Sequence, residues 1–367
     1  MAGPGVAPVA PVRKIAVLAP VRLGDFIQTL PALEALGATY PDAEIVLVGQ
    51  PWQVTFLDGR PSAVARVVVP PHARGVREPP AGGRVDDRAL AAFFERMTRE
   101  RFDLAVQLSC GSRAANDFVR RLGARVTVGA SDDCAGRLDR WLPYDRLHNG
   151  VLRALQVASL AGAAPRGLSP SVPVLPRDLE EACGRVPAGG RPLVVLNPYA
   201  RDPRRRWPVD KFAEVGDALV RAGARVVVHG HDHERELSSS VLRAMTMPGD
   251  QASGLSLGGL VGLLSRAALV VSNDSGPLQL ATALRVPSVG IYWCVGALTS
   301  APTTTDPHAW HVSWRVQCIL CGRNVMSGAC SHRHSLVADV PAEEVTTSAL
   351  RMLEATGGSR PWMRNPS

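Results

Sequence analysis

Four stretches of this 367-residue chain place reactive side chains directly after short apolar runs. In the first, Lys14 to Ala19 leads into Arg22-Leu23-Gly24-Asp25, so Asp25 stands at the carboxyl end of an expected strand and the start of an expected helix. A carboxylate there is either a general base or a helix cap; Gly24 beside it permits close approach by a ligand. In the second, Leu193 to Leu196 leads into Asn197-Pro198-Tyr199-Ala200-Arg201-Asp202-Pro203-Arg204-Arg205-Arg206-Trp207-Pro208. Arg205 or a neighbour could neutralise a diphosphate through paired hydrogen bonds, the plainer reading being a solvated basic turn with Trp207 packed beneath it. In the third, Arg225 to His229 ends at Gly230-His231-Asp232, where a carboxylate suits the two hydroxyls of a ribose or caps a helix. In the fourth, Ala268 to Ser272 leads into Asn273-Asp274-Ser275-Gly276-Pro277-Leu278-Gln279. There Ser275 is placed to N-cap a helix, Pro277 suits its first turn, and Gly276 bares backbone amides whose partial positive charge favours a diphosphate.

The elements that must position these groups alternate. Strands are expected at Ile45 to Val48, Val64 to Val69, Leu104 to Leu108 and Val126 to Gly129, with helices at Asp25 to Thr39, Asp86 to Arg101, Ala114 to Leu122 and Gly150 to Ala161. A Pro- and Gly-rich stretch, Ala163 to Arg191, reads as a domain linker with one short helical piece near Leu179 to Gly184. The alternation then restarts, with helices at Val209 to Ala222, Glu234 to Met245 and Leu257 to Ala267, strands at Leu269 to Ser272 and Ser288 to Tyr292, and a last helix near Ala342 to Ala355. Strands alternating with helices imply an α/β chain of two doubly wound parallel sheets, whose carboxyl ends should face a shared cleft. The expected divisions are 1–170, 171–340 and a C-terminal helix and tail, 341–367.

Composition narrows the function classes. Hydrophobic residues make up 46% and charged residues 20%, and no apolar run is long enough to span a bilayer. Met1 to Val12 lacks the basic start of a signal peptide and reads as a short disordered lead. The net charge of +8 is carried almost wholly by arginine, Lys14 and Lys211 being the only lysines. No basic helix interleaved with aromatics points to nucleic acid, although a basic cleft would concentrate an anionic ligand. Seven cysteines, not spread as a disulfide framework, fit a reducing cytoplasm. Cys318, Cys321 and Cys330, followed by His332 and His334, resemble an incomplete zinc-ligand spacing. A structural zinc and a set of unpaired thiols are the two readings.

Taken together, Arg22-Leu23-Gly24-Asp25 with Thr29-Leu30-Pro31-Ala32-Leu33, Arg206-Trp207-Pro208, and Asn273-Asp274-Ser275-Gly276-Pro277 with Ala281 to Pro287 resemble glycosyltransferase family 9, which includes the lipopolysaccharide heptosyltransferases. The resemblance covers most of the chain. It implies a two-domain GT-B fold, an acceptor-binding first domain and a second domain that binds an ADP-heptose or related nucleotide sugar. It also implies an inverting transfer that needs no metal or other cofactor. Asp25 then takes the place of the general base; Ala200, Arg201, Arg205, Asp232, Asp274, Ser275, Gly276 and Gln279 fall at donor positions. Gly24 and Arg113 fall on the acceptor side, where a guanidinium would suit an anionic glycan and is otherwise a surface arginine. Two departures stand out: Arg205 replaces a usual lysine and Gln279 a usual histidine. The acceptor is a glycan of lipopolysaccharide type or a small natural product, with peripheral association at a membrane surface left open. The alternatives are transfer from a different nucleotide sugar, and a non-catalytic nucleotide-sugar or glycan-binding homologue.

Overall fold

The computed structural model describes residues 7–132, 136–231, 234–326 and 330–357. They form two compact units, divided between Pro170 and Ser171.

The first unit runs β1 (Lys14–Leu18), α1 (Leu23–Thr39), β2 (Glu44–Val48), α2 (Pro51–Leu57), β3 (Arg66–Val68), α3 (Asp87–Arg99), β4 (Leu104–Gln107), α4 (Arg113–Arg120), β5 (Val126–Ser131), β6 (Arg140–Pro143) and α5 (Gly150–Leu160). Its six strands are parallel, in the order β3-β2-β1-β4-β5-β6. Helices cover both faces of such a sheet, so the central strand can be apolar throughout, as Ile15-Ala16-Val17-Leu18 is.

The second unit runs α6 (Pro176–Arg185), β7 (Leu193–Asn197), α7 (Val209–Arg221), β8 (Arg225–His229), α8 (Arg235–Ala244), β9 (Asp250–Ala252), α9 (Leu257–Ser265), β10 (Leu269–Asn273), α10 (Gly276–Ala283), β11 (Ser288–Trp293), α11 (Cys294–Ser300), β12 (His308–Ser313) and α12 (Ala342–Gly357). The order β12-β11-β10-β7-β8-β9, again all parallel, repeats the topology of the first sheet. In each unit the order reverses at one place, between β1 and β4 and between β7 and β10. Loops leaving neighbouring strands in opposite directions open a crevice there, and ligands of open α/β sheets bind in it.

Several expectations need correction. The outer strands β6, β9 and β12, and helices α2 and α11, lacked a clear sequence signal. Edge strands are half-solvated, and β9, three residues long, reads Asp-Gln-Ala. The expected linker contains α6, which starts at Pro176 and packs against α9. The last helix is no separate appendage, since Val345, Ala349 and Leu353 are buried in the core of the second unit. From residue 7 onward the expected disordered lead is docked on the first unit. Val9 is buried, and its N–H donates to the Tyr40 hydroxyl at 2.9 Å, which in turn donates to the Ala161 carbonyl. Arg125 reaches the Ala10 and Pro11 carbonyls.

Tyr40→Phe keeps the ring and removes the hydroxyl that joins residue 9 to residue 161. Both backbone partners are then left unsatisfied, and the variant should lose about 1–3 kcal/mol of stability in urea unfolding. A change within error would mean that water replaces the hydroxyl without cost.

Candidate functional site

At the switch point of the first unit, Asp25 occupies the first turn of α1 and is exposed, with half-buried Gly24 beside it. It borders a narrow cavity after β1 and β4, lined also by Gln28, Gln107, Cys110, Tyr144 and Arg153. The interior volume of about 20 Å³ admits one water-sized group. Gln107 is buried at the end of β4, and its Nε2 has no hydrogen-bond partner. Such an orphan donor is costly unless something in the cavity accepts from it. Gly150 opens α5 directly over Gln28: a Cβ there would fall on the Gln28 side-chain oxygen. The Arg153 guanidinium lies 5.1 Å from the centroid of the Tyr144 ring. Arg113 is elsewhere, 64% exposed at the start of α4 and 3.7 Å from Asp117. The guanidinium that lines the Asp25 cavity is therefore Arg153, which no sequence signal distinguished from its many fellows.

At the switch point of the second unit, β7 and β10 end in a hydrogen-bonded knot. The Asn197 Nδ2 lies 3.0 Å from Ser272 Oγ, 3.1 Å from Ser275 Oγ and 3.3 Å from the Tyr199 carbonyl. A carbonyl can only accept, so the amide nitrogen faces it and Oδ1 faces His229 Nδ1, at 3.2 Å. Burial pushes the His229 pKa down to about 3, with His231 adding to the effect. His229 is thus neutral, with its proton on Nδ1. Asn273 faces the other way: its Oδ1 accepts from the Trp207 N–H at 3.0 Å, and its Nδ2 donates to the Pro198 carbonyl at 2.6 Å.

The expected donor residues differ in what they engage. Arg205, at the end of a 3₁₀ turn over Pro203–Arg205, donates through Nη1 to Asp274 Oδ2 at 2.9 Å and keeps a third of its side chain exposed. Asp274 is buried beneath it and also accepts from Ser300 Oγ at 2.8 Å. Complete burial, and to a lesser extent the charge of Asp274, hold the Tyr292 phenol well above its ordinary range. Ser275 stands at the N-cap of α10, yet its side chain does not cap the helix, because Asn197 and Ser272 engage it instead. The Gly276 and Leu278 amides of the first turn consequently have no side-chain cap, and Pro277 has no N–H. Gln279 is buried and donates to the Ser300 carbonyl at 2.6 Å. The Ala200 carbonyl accepts from Arg206 Nε at 2.7 Å, while Arg201 is exposed. Asp232 lies outside the described residues.

Cys318, Cys321, Cys330 and His332 come together: one donor atom from each lies within 4.8 Å of all the others. The backbone N–H groups of Cys321 and Leu320 bring the Cys318 thiol down to about 6.

The model of glycosyltransferase family 9 (heptosyltransferase) matches residues 90–324. The chain belongs to glycosyltransferase family 9. It is similar to lipopolysaccharide heptosyltransferase 2 of Salmonella typhimurium, 26% identical over 372 residues that cover 94% of this chain and 99% of that protein. The solved structure of a family 9 glycosyltransferase from Veillonella parvula matches with a TM-score of 0.76 at 20% identity, covering 95% of this chain and 99% of that one. That of the Escherichia coli ADP-heptose lipopolysaccharide heptosyltransferase II matches with a TM-score of 0.71 at 20% identity, over 94% and 99% of the two chains. The fold is GT-B, and the protein is a glycosyltransferase. Among the described residues no helix is long and apolar enough to cross a membrane.

The neutral His229 makes a pH prediction. Its folded pKa of about 3 lies below the ordinary 6.5, so between those values the unfolded chain binds the proton first. Stability should therefore fall with acidification below about pH 6.5 by up to about 1.4 kcal/mol per pH unit, while above that pH the group contributes no slope. His308, pushed down to about 4 mainly by burial, adds to the loss. Urea unfolding of wild type and His229→Gln from pH 7.5 to 4.5 should show a shallower decline in the variant. Parallel curves would contradict a buried neutral imidazole.

Proposed function

We propose that this protein is an inverting, metal-independent heptosyltransferase of the cytoplasm, moving a heptose or closely related sugar from an ADP-sugar to a hydroxyl of a lipopolysaccharide-type glycan. The observation that carries the reading is Asp25, at the mouth of a cavity one hydroxyl wide at the carboxyl end of β1. The relatives, named for ADP-heptose and lipopolysaccharide, supply the donor and the acceptor class.

In this reading the acceptor hydroxyl enters the cavity, where Gln107 Nε2 can donate to its oxygen. Asp25 removes its proton as that oxygen attacks the anomeric carbon, and the bond to the diphosphate breaks on the opposite face, which inverts the configuration. The leaving diphosphate gathers negative charge. Arg205 and the uncapped amides at the start of α10 meet it, so a metal ion has no part in the step. Asp274 and Ser300 act through others, Asp274 by aiming Arg205 and Ser300 by bonding both Asp274 and Gln279. Arg201, Ala200 and Asp232 complete the donor side, Asp232 towards the ribose. Arg153 lies closest to the acceptor; Arg113 would serve only a glycan that extends beyond the cavity.

Asp25→Asn should lower turnover by about 10²-fold or more with the affinity for ADP unchanged. Arg205→Ala should weaken ADP binding by about 10-fold or more in calorimetry, the scale of a charged hydrogen bond. Wild-type turnover in Asp25→Asn would remove the base, and unaltered ADP affinity in Arg205→Ala would remove the phosphate contact. With an anionic acceptor, Arg153→Ala should raise the Michaelis constant more than Arg113→Ala does. The reverse order would place the acceptor over α4.

A further inference from the structure

The thiol cluster and the donor loop are far apart in sequence but are joined by a short ladder of bonds. Cys321 Sγ lies 3.5 Å from Cys330 Sγ, and His332 Nδ1 lies 3.5 Å from Cys318 Sγ and 3.4 Å from Cys330 Sγ. A zinc ion bound at about 2.3 Å to sulfur and about 2.0 Å to nitrogen separates its tetrahedral ligands by about 3.5–3.8 Å, close to these three distances, and all four donor atoms lie within 4.8 Å of one another. The turn that carries the first two cysteines is already wound for a metal. Gln317 and Asn324 form an antiparallel bridge, the Cys318 N–H donates to the Arg323 carbonyl and the Gly322 N–H to the Cys318 carbonyl, both at 2.9 Å. Gly322 takes φ +67°, where only glycine is unstrained. Three thiolates and one imidazole around Zn²⁺ leave one net negative charge.

Just beyond His332 the chain is stitched to the basic loop. The Ser335 hydroxyl donates to the Arg206 carbonyl at 2.6 Å, and the Leu336 N–H to the Arg204 carbonyl at 2.7 Å. Val340 then accepts from Trp207 Nε1 at 3.0 Å and from Lys211 Nζ at 2.9 Å. Two carbonyls that flank Arg205 are thus held by residues three and four positions from a ligand of the cluster. We propose that Cys318, Cys321, Cys330 and His332 bind one zinc ion, and that this ion, by fixing residues 330–340, holds the 204–207 loop in the conformation that presents Arg205. The effect on donor binding rests on the function proposed above; the ion and its hold on the loop do not.

Full-length protein prepared with reductant and without chelators is analysed for metals and by hydrogen exchange, before and after zinc is stripped by a chelator and after zinc is returned. The expected result is one zinc per chain. Its removal should speed exchange at the Leu336 and Trp207 amides about tenfold or more, reversibly, without touching β1 or β4 of the other unit. ADP affinity in the same samples should fall by about fivefold or more. Cys321→Ser should reproduce the stripped state; if that variant does not fold, the stripped wild type carries the test alone. Protein that holds no zinc and takes none up, that holds iron instead, or whose mass shows a Cys321–Cys330 disulfide would overturn the ion. Bound zinc with exchange unchanged on stripping would overturn the coupling. Failure of ADP to bind the zinc-loaded wild type would instead overturn the donor reading, with the exchange result still standing.

Discussion

A carboxylate buried to 5% exposure is costly to leave without a partner, and Asp274 has Arg205 beside it. Most of the second unit's site arises from that need. The cation must come from the loop after β7, so this loop has to fold back over the end of β10. Asp202 starts the fold by capping the 3₁₀ turn and gripping the Arg204 guanidinium. Trp207 finishes it, giving its backbone N–H to Asn273 and its indole N–H to Val340. Asp274 itself is thereby spent on geometry, and the exposed remainder of the Arg205 fork is what is left for an anion.

The hydrogen-bonded knot at the same switch point works by the opposite means. Asn197, His229, Ser272 and Ser275 carry no net charge there, yet they engage one another and the Ser275 side chain does not cap α10. A helix start without its cap keeps partial positive charge, which is useful only to a negative partner. In the first unit the pattern differs again: one exposed carboxylate stands beside a buried amide that has no partner. A saturated knot beneath a charged fork suits a large anion held firmly. A nearly empty polar slot suits a group that arrives, reacts and leaves.

The central strands were legible in the sequence, because a strand buried on both faces is an unbroken apolar run, and so were the reactive residues at their carboxyl ends. Gly24-Asp25, the arginine loop and Asn273 to Gln279 all lie where the pattern placed them. Sequence could not show which loop residues point down and which point out. Asp274 and Ser275 looked alike as donor ligands, and only the packed structure separates a buried counter-ion from a hydroxyl held by Asn197. Asn197 and His229 did carry a signal that went unused, a polar residue closing an apolar strand. Arg153 and Ser300 carried none, since each reaches its site across the fold. The edge strands β6, β9 and β12 were missed because solvent on one side and an unpaired edge relax the demand for apolar residues.

The bonds that lock Trp207 and Lys211 are made to Ala338 and Val340, at sequence separations of 127 to 133 residues. A chain growing from its N-terminus can complete the first sheet, and all six strands of the second, before the carbonyl that receives the Trp207 indole has been joined to it. The arginine loop thus belongs to the early part of the second unit in sequence but to its last moments in assembly. A chain truncated between β12 and α12 would keep the bonds of this loop to Asn273 and Asp274 and lose those to residues 335–340.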